Sequence, residues 1–154
     1  MLMDSKKQVD IFTDGACRGN PGPGGWAALL RFDGHKKIIN GAERTTTNNR
    51  MELLAAIRGL SELKYSCTVN LTTDSEYVRK GITEWVPKWK ANDWRTSQKR
   101  SVKNRDLWEE LDRLSLKHEI SWFWVKGHSG HTENEMVDQA ANLAIDEMEQ
   151  RCAK

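Results

Sequence analysis

Apolar and polar residues alternate through Val9-Asp-Ile-Phe-Thr13 and again through Val69-Asn-Leu-Thr-Thr73. A period of two marks a segment that turns one face to a core and the other away, so strands are predicted over residues 9–13 and 68–73. Short runs rich in apolar and β-branched or aromatic residues predict further strands over 26–32, 36–41 and 120–124. Asp33-Gly34 supplies the residues that a tight turn between the second and third of these needs. The period then changes. Leu53, Ala56, Ile57, Leu60 and Leu63 fall on one stripe at helical spacing, which predicts a helix over about 47–63. Shorter helices are expected over 76–80, 84–89 and 106–114. Val137, Ala140, Ala141, Ala144 and Met148 carry a last one over about 133–150. A hairpin start followed by strands joined through helices is an α/β layer.

Composition narrows this picture. At 154 residues the chain is most simply one domain with its own core, and no repeat, low-complexity tract or break in composition marks a second. A net charge of +2 is too small to indicate a partner, so only the distribution of charge is informative. Cys17, Cys67 and Cys152 are odd in number and lack zinc-ligand spacing, which points to a reduced intracellular setting. No segment has the basic start and apolar core of a signal peptide or the length of a membrane span.

Candidate chemistry lies in four carboxylates. Asp14 and Asp74 follow the ends of predicted strands, while Glu52 and Asp138 stand in the opening turns of predicted helices. Each alone has an ordinary structural reading: Asp14-Gly15 as a hairpin turn, Asp74 as a helix cap, and Asp138 as a partner of the helix dipole. Glu135 would close a capping box opened by Thr132. Together they resist those readings. Glu135 and Asp138 share a helix face at i, i+3, where like charges repel. Further carboxylates gathered beside them require a hard cation with oxygen ligands.

Thr13-Asp-Gly-Ala-Cys-Arg-Gly-Asn-Pro-Gly-Pro-Gly-Gly25, Thr47-Asn-Asn-Arg-Met-Glu52, Thr73-Asp-Ser75, Trp124-Val-Lys-Gly-His128-Ser-Gly-His131 and Asn134-Glu-Met-Val-Asp138 closely resemble the bacterial ribonuclease HI family, in order and along nearly the whole chain. The resemblance implies a mixed five-stranded sheet, its first three strands antiparallel and the rest parallel, flanked by helices. It implies one catalytic domain over 1–154 with short flexible termini at about 1–7 and 150–154. The expected enzyme is a cytoplasmic, monomeric endonuclease that cuts the RNA strand of an RNA–DNA hybrid with two Mg²⁺ ions, Mn²⁺ being able to substitute. By the same resemblance Asp14 bridges the metals, Glu52 and Asp74 hold the one near the leaving oxygen, and Asp138 holds the one that activates water. His128 handles a proton or assists product departure, its ordinary pKa near neutrality suiting either role. Glu135 resembles an acid that assists product release.

Three features are expected to grip the substrate. Asn48 lies four residues before Glu52, so a helix places both on one face. With Asn49, Asn20 and the backbone at Cys17 it matches positions that contact the hybrid's minor groove, where a 2′-hydroxyl separates RNA from DNA. Residues 85–103 are basic with interleaved tryptophans and resemble a protrusion that grips the DNA strand: Lys88 and Lys90 neutralise phosphates, and Trp85 and Trp94 lie among them, although core packing is the plainer reading of these tryptophans. Thr47 and Asn104, with Arg44 or Arg50, are implied to hold a phosphate. Two departures stand out. Ala91, Asn92 and Asp93 occupy what relatives often make a more basic tip, and Glu76 occupies a minor-groove position commonly held by Gln, where a carboxylate accepts but cannot donate. The competing readings are a catalytically silent hybrid-binding module, a DNA-cutting relative such as an integrase or resolvase, and a glycosidase. The intact acids oppose the first, the asparagines the second, and the basic surface the third.

Overall fold

The computed structural model describes residues 7–96, 98–127 and 130–152. Five strands, β1 (Lys7–Cys17), β2 (Gly22–Phe32), β3 (His35–Thr46), β4 (Cys67–Thr73) and β5 (Glu119–Trp124), form one sheet in the order β3-β2-β1-β4-β5. β1, β2 and β3 pair antiparallel, whereas β4 pairs parallel to both β1 and β5. That is the mixed sheet expected, with helices α1 (Asn48–Ser61), α2 (Glu76–Lys80), α3 (Val86–Ala91), α4 (Arg105–Ser115) and α5 (Thr132–Cys152) around it. The turn between β2 and β3 places both Asp33 (φ 48°) and Gly34 (φ 76°) in the left-handed region, as a two-residue hairpin requires.

The strands have two different covers. Val9, Ile11, Val69 and Leu71 face a core completed by Leu53, Ile57 and Leu60 of α1 and by Trp108 and Leu111 of α4. Phe12, Ala27 and Leu29 face Val137 and Ala141 of α5. Two glycines set how closely the helices approach. A Cβ on Gly15 would stand 2.5 Å from the Glu52 backbone nitrogen, and one on Gly25 would stand 2.3 Å from the Ala141 carbonyl oxygen. Only hydrogen fits at either place, so α1 and α5 pack directly on the sheet and carry their acids with them.

Some elements run further than their side-chain pattern predicts. β1 extends to Cys17 and β2 begins at Gly22, because the glycine-rich backbone keeps pairing, Ala16 with Gly25 and Cys17 with Gly24. β3 likewise runs on to Thr46, paired with Gly22. The helix expected over 84–89 is divided. A π-helical turn, Gly81–Trp85, precedes α3, and a Cβ on Gly81 would overlap the Trp108 ring at 1.9 Å. Trp108 is fully buried and sits among Tyr77, Trp85 and Trp89, with ring centroids 5.2–6.5 Å apart.

Candidate active site

Parallel pairing brings the first two acids together. Thr13 lies opposite Thr73, so the next residue of each strand, Asp14 and Asp74, emerges at the same carboxyl edge of the sheet, where open α/β sheets bind ligands. α1 then delivers Glu52 across the hydrogen of Gly15. One oxygen each from Asp14, Glu52 and Asp74 lies within 4.8 Å of the others. Asp14 and Glu52 are buried, at 3% and 5% exposure. Asp138, in the second turn of α5, stands beside this trio, near enough to Asp14 to raise its pKa, but is not one of the three acids that converge within 4.8 Å.

The ordinary readings of Asp14, Asp74 and Glu135 do not hold. Asp14 lies within β1 opposite Ala27 and not in a turn. The cap of α2 is Ser75, whose hydroxyl accepts from the Val78 amide at 3.1 Å, which leaves the Asp74 carboxylate free. α5 is capped by His131, whose Nδ1 accepts from the Asn134 amide at 3.1 Å, one residue earlier than the box expected from Thr132. Glu135 is exposed on the first turn of α5, so neither it nor Thr132 closes that end.

Electrostatics oppose the bare anions of Asp14 and Glu52. Burial, then the charge of Asp74, then a hydrogen bond to Asp138 push the Asp14 pKa up to about 9. Burial, followed by the charges of Asp14 and Asp74, pushes Glu52 well above the usual carboxylate range. Glu52 Oε1 and Asp74 Oδ1 are buried without a hydrogen-bond partner. Unpartnered hard oxygens converging at this spacing fit a divalent cation of the Mg²⁺ or Mn²⁺ type.

The chain leading to the histidine loop passes alongside. The Trp124 indole donates to the Asp74 carbonyl at 3.0 Å, and a Cβ on Gly127 would lie 3.0 Å from Asp74 Oδ2. His128 itself lies outside the described residues.

The expected substrate residues form a rim on one side. The Cys17 thiol contacts the carbonyls of Gly19 and Thr46 at 2.7 and 3.4 Å, and Asn20 Oδ1 accepts from the Asn48 amide at 3.1 Å. Asn48 and Asn49 are exposed at the start of α1, while Thr47 caps it by accepting from the Arg50 amide. Asn104 has a left-handed backbone (φ 60°), receives Arg50 Nη1 at 3.2 Å and donates to the Tyr77 hydroxyl at 3.0 Å. Arg50 is also held by both carboxylate oxygens of Asp106, at 3.1 and 2.8 Å. Glu76 is exposed at the start of α2. Further away, Lys88 is exposed, Lys90 pairs with Asp112 at 3.1 Å, and Trp85 and Trp94 are half-buried against Trp89.

A family model described as RNase H matches residues 6–146. The chain belongs to the ribonuclease H family. The ribonuclease H of Hydrogenovibrio crunogenus is 61% identical over 142 residues, covering 92% of this chain and 98% of that protein. LC9-RNase H1, whose crystal structure is described as a type 1 RNase H with the type 2 active-site motif, superposes with a TM-score of 0.83 at 32% identity, over 94% of this chain and 75% of that one. LC11-RNase H1, solved in complex with an RNA/DNA hybrid, shares the fold with a TM-score of 0.69 at 21% identity, over 91% of this chain and 98% of that one. The ribonuclease H fold and membership make the chain a nuclease.

Two residues around the ribonuclease H acids carry no motif signal: Tyr77 accepts from both Asn104 and the Trp108 indole, and Asn142 lies beside Asp138. Only Asn142 was within reach of spacing, being four residues beyond Asp138 on the same helix face.

Proposed function

We propose that the chain is a monomeric, cytoplasmic, single-domain endoribonuclease that hydrolyses the RNA strand of RNA–DNA hybrids and leaves 5′-phosphate and 3′-hydroxyl ends. The observation that carries this reading is the trio of buried Asp14 and Glu52 and half-buried Asp74, with unpartnered oxygens on Glu52 and Asp74. Two Mg²⁺ ions, when bound, would supply charge neutralisation at the scissile phosphate and activation of the attacking water. Asp14, flanked by the other acids, would hold both ions. Glu52 and Asp74 would hold the one beside the leaving oxygen, and Asp138 the one beside the water. His128 would carry a proton at the departing end, and Glu135, exposed on α5, would assist release. No enzyme nucleophile is required.

The residues of the rim support this choice of substrate. Asn20, Asn48 and Asn49 and the backbone at Cys17 offer both donors and acceptors, the combination that reads a 2′-hydroxyl in a minor groove. Thr47 and Asn104 would hold a phosphate beside Arg50, and Lys88 and Lys90 with Trp85 and Trp94 would flank the DNA strand further out. Glu76 adds an acceptor on this path. A hybrid is the ligand of LC11-RNase H1, which shares this fold. The test is cleavage of matched RNA–DNA, double-stranded RNA and double-stranded DNA, each with Mg²⁺ and with EDTA. Cutting confined to the RNA of the hybrid and abolished by EDTA is expected. Equal cutting of double-stranded DNA would overturn the reading.

A further inference from the structure

Arg18 stands one residue beyond β1, in the loop that carries Cys17 and Asn20, yet its guanidinium turns away from that rim and onto α5. Nη1 meets Glu149 at 2.7 Å and Nη2 meets Asp146 at 2.7 Å. Nη2 also lies 3.4 Å from the Asn142 carbonyl and 3.5 Å from Asn142 Oδ1. The two short contacts anchor the fork, and the longer ones lay it against Asn142. Asn142 in turn donates Nδ2 to the Asp138 carbonyl at 3.0 Å, with Asp138 Oδ1 at 3.5 Å. A continuous polar path therefore runs from the loop through Arg18 and Asn142 to the fourth acid.

The rest of the loop is tied in the same sense. The Arg18 amide donates to the Pro23 carbonyl at 2.8 Å, and Asn20 Oδ1 receives the Asn48 amide of α1. One short loop is thus fastened to α1 at Asn20 and to α5 at Arg18. Those are the two helices that bring Glu52 and Asp138 to Asp14.

We infer that Arg18 and Asn142 are positioning residues that lock the substrate-facing loop to α5 and hold the Asp138 carboxylate toward Asp14. Asp138 stands beside Asp14, and a donor from Asn142, fixed on the Asp138 carbonyl at 3.0 Å with Oδ1 at 3.5 Å, limits the rotamers that its carboxylate can take. A surface ion pair alone is worth little. A planar fork held by two carboxylates and an amide is a geometric constraint, which a lysine cannot reproduce.

The inference rests on Asp138 being a metal-holding acid, and the test separates the two ideas. Arg18→Leu, Arg18→Lys, Asn142→Ala, the double variant and Asp138→Asn are each titrated with Mg²⁺ without nucleic acid, following the Mg²⁺-dependent rise in Tm. Each is also assayed for hybrid cleavage across Mg²⁺ and salt concentrations. Arg18→Leu and Asn142→Ala should each raise the half-saturating Mg²⁺ concentration several-fold and lower kcat with KM nearly unchanged. Arg18→Lys should not restore either, and the double variant should be no worse than the more impaired single one, as expected of residues acting as a unit. An unchanged Mg²⁺ response in Arg18→Leu, beside an impaired Asp138→Asn, would overturn the lock and leave the four-acid site standing. A parental Asp138→Asn would overturn the role of Asp138 and the lock with it. Should Arg18→Leu instead raise KM and flatten the salt dependence with its Mg²⁺ response intact, Arg18 would be a phosphate contact and the lock would again be wrong.

Discussion

Asp14 is an acid placed where its own charge is opposed. In the metal-free protein its pKa is pushed to about 9 by burial first and by Asp74 and Asp138 next, and Glu52 is raised for the same kind of reason. An unfolded aspartate titrates near 4. The folded state therefore holds a proton that the unfolded chain has lost over this interval, and the stability tied to Asp14 is complete below about pH 4 and declines as the pH rises toward 9. Metal-free urea unfolding should show this fall, and Asp14→Asn should flatten it and be more stable at pH 7 by on the order of a few kcal/mol. The same variant should cleave no hybrid, since an amide keeps the shape but not the charge. Cation binding needs the ionised acids, so Mg²⁺ affinity should climb with pH toward 9. A pH-independent metal-free stability in the parent would contradict the burial of these charges.

Among the elements, the five strands and the helices bearing Glu52 and Asp138 were legible because each buries one face against a cover of known period. What periodicity could not show was backbone pairing and close approach. The glycine-rich stretch after Asp14 resembles a turn in sequence, yet its alternation of small residues lets β1 and β2 pair as far as Cys17 and Gly24. The π-helical turn begins at Gly81, over which the Trp108 ring lies, an approach with no local signature. The acids were legible through their motifs, whereas the contacts of Arg18 and Tyr77 were not, since their partners lie 27 to 131 positions away, and only the pairing of Asn142 with Asp138 follows from helical spacing. Gly15→Ala tests the close approach directly. Its new methyl would meet the backbone of Met51 and Glu52 at 2.5–2.6 Å, and backbone cannot rotate aside. Overpacking of this kind costs about 1–3 kcal/mol, and here it also lifts Glu52 from Asp14. Thermal unfolding should report the reduced stability, and kcat should fall together with metal affinity. A fully active, equally stable Gly15→Ala would show that the helix does not need so close an approach.

Across the whole molecule a net charge of +2 conceals an uneven surface. The acids gather at the carboxyl edge of the sheet, while Lys88, Lys90, Arg95, Lys99 and Arg100 lie exposed on the segment around α3. The aromatic stack of Tyr77, Trp85, Trp89 and Trp108 ties that segment to the core. These cations are not equivalent, because Lys90 is already paired with Asp112. Lys88→Ala should therefore weaken hybrid binding more than Lys90→Ala. It should flatten the slope of log affinity against log salt by about 0.9 for each phosphate left without its cation, if the duplex-DNA value carries over. Restoring charge at the tip also has a preferred place. Asp93 has a left-handed backbone (φ 57°), a conformation that aspartate tolerates better than lysine, whereas Ala91 ends α3 without such strain. Ala91→Lys should accordingly lower KM at low salt and leave kcat nearly unchanged, the mark of a group that binds ground and transition states alike. Asp93→Lys should give a smaller gain, offset by a drop in stability. If the parent and Lys88→Ala share one salt slope and Ala91→Lys leaves KM unmoved, the α3 segment is a structural wall. Hybrid recognition would then rest on the asparagines beside Glu52 and on the metal-holding acids.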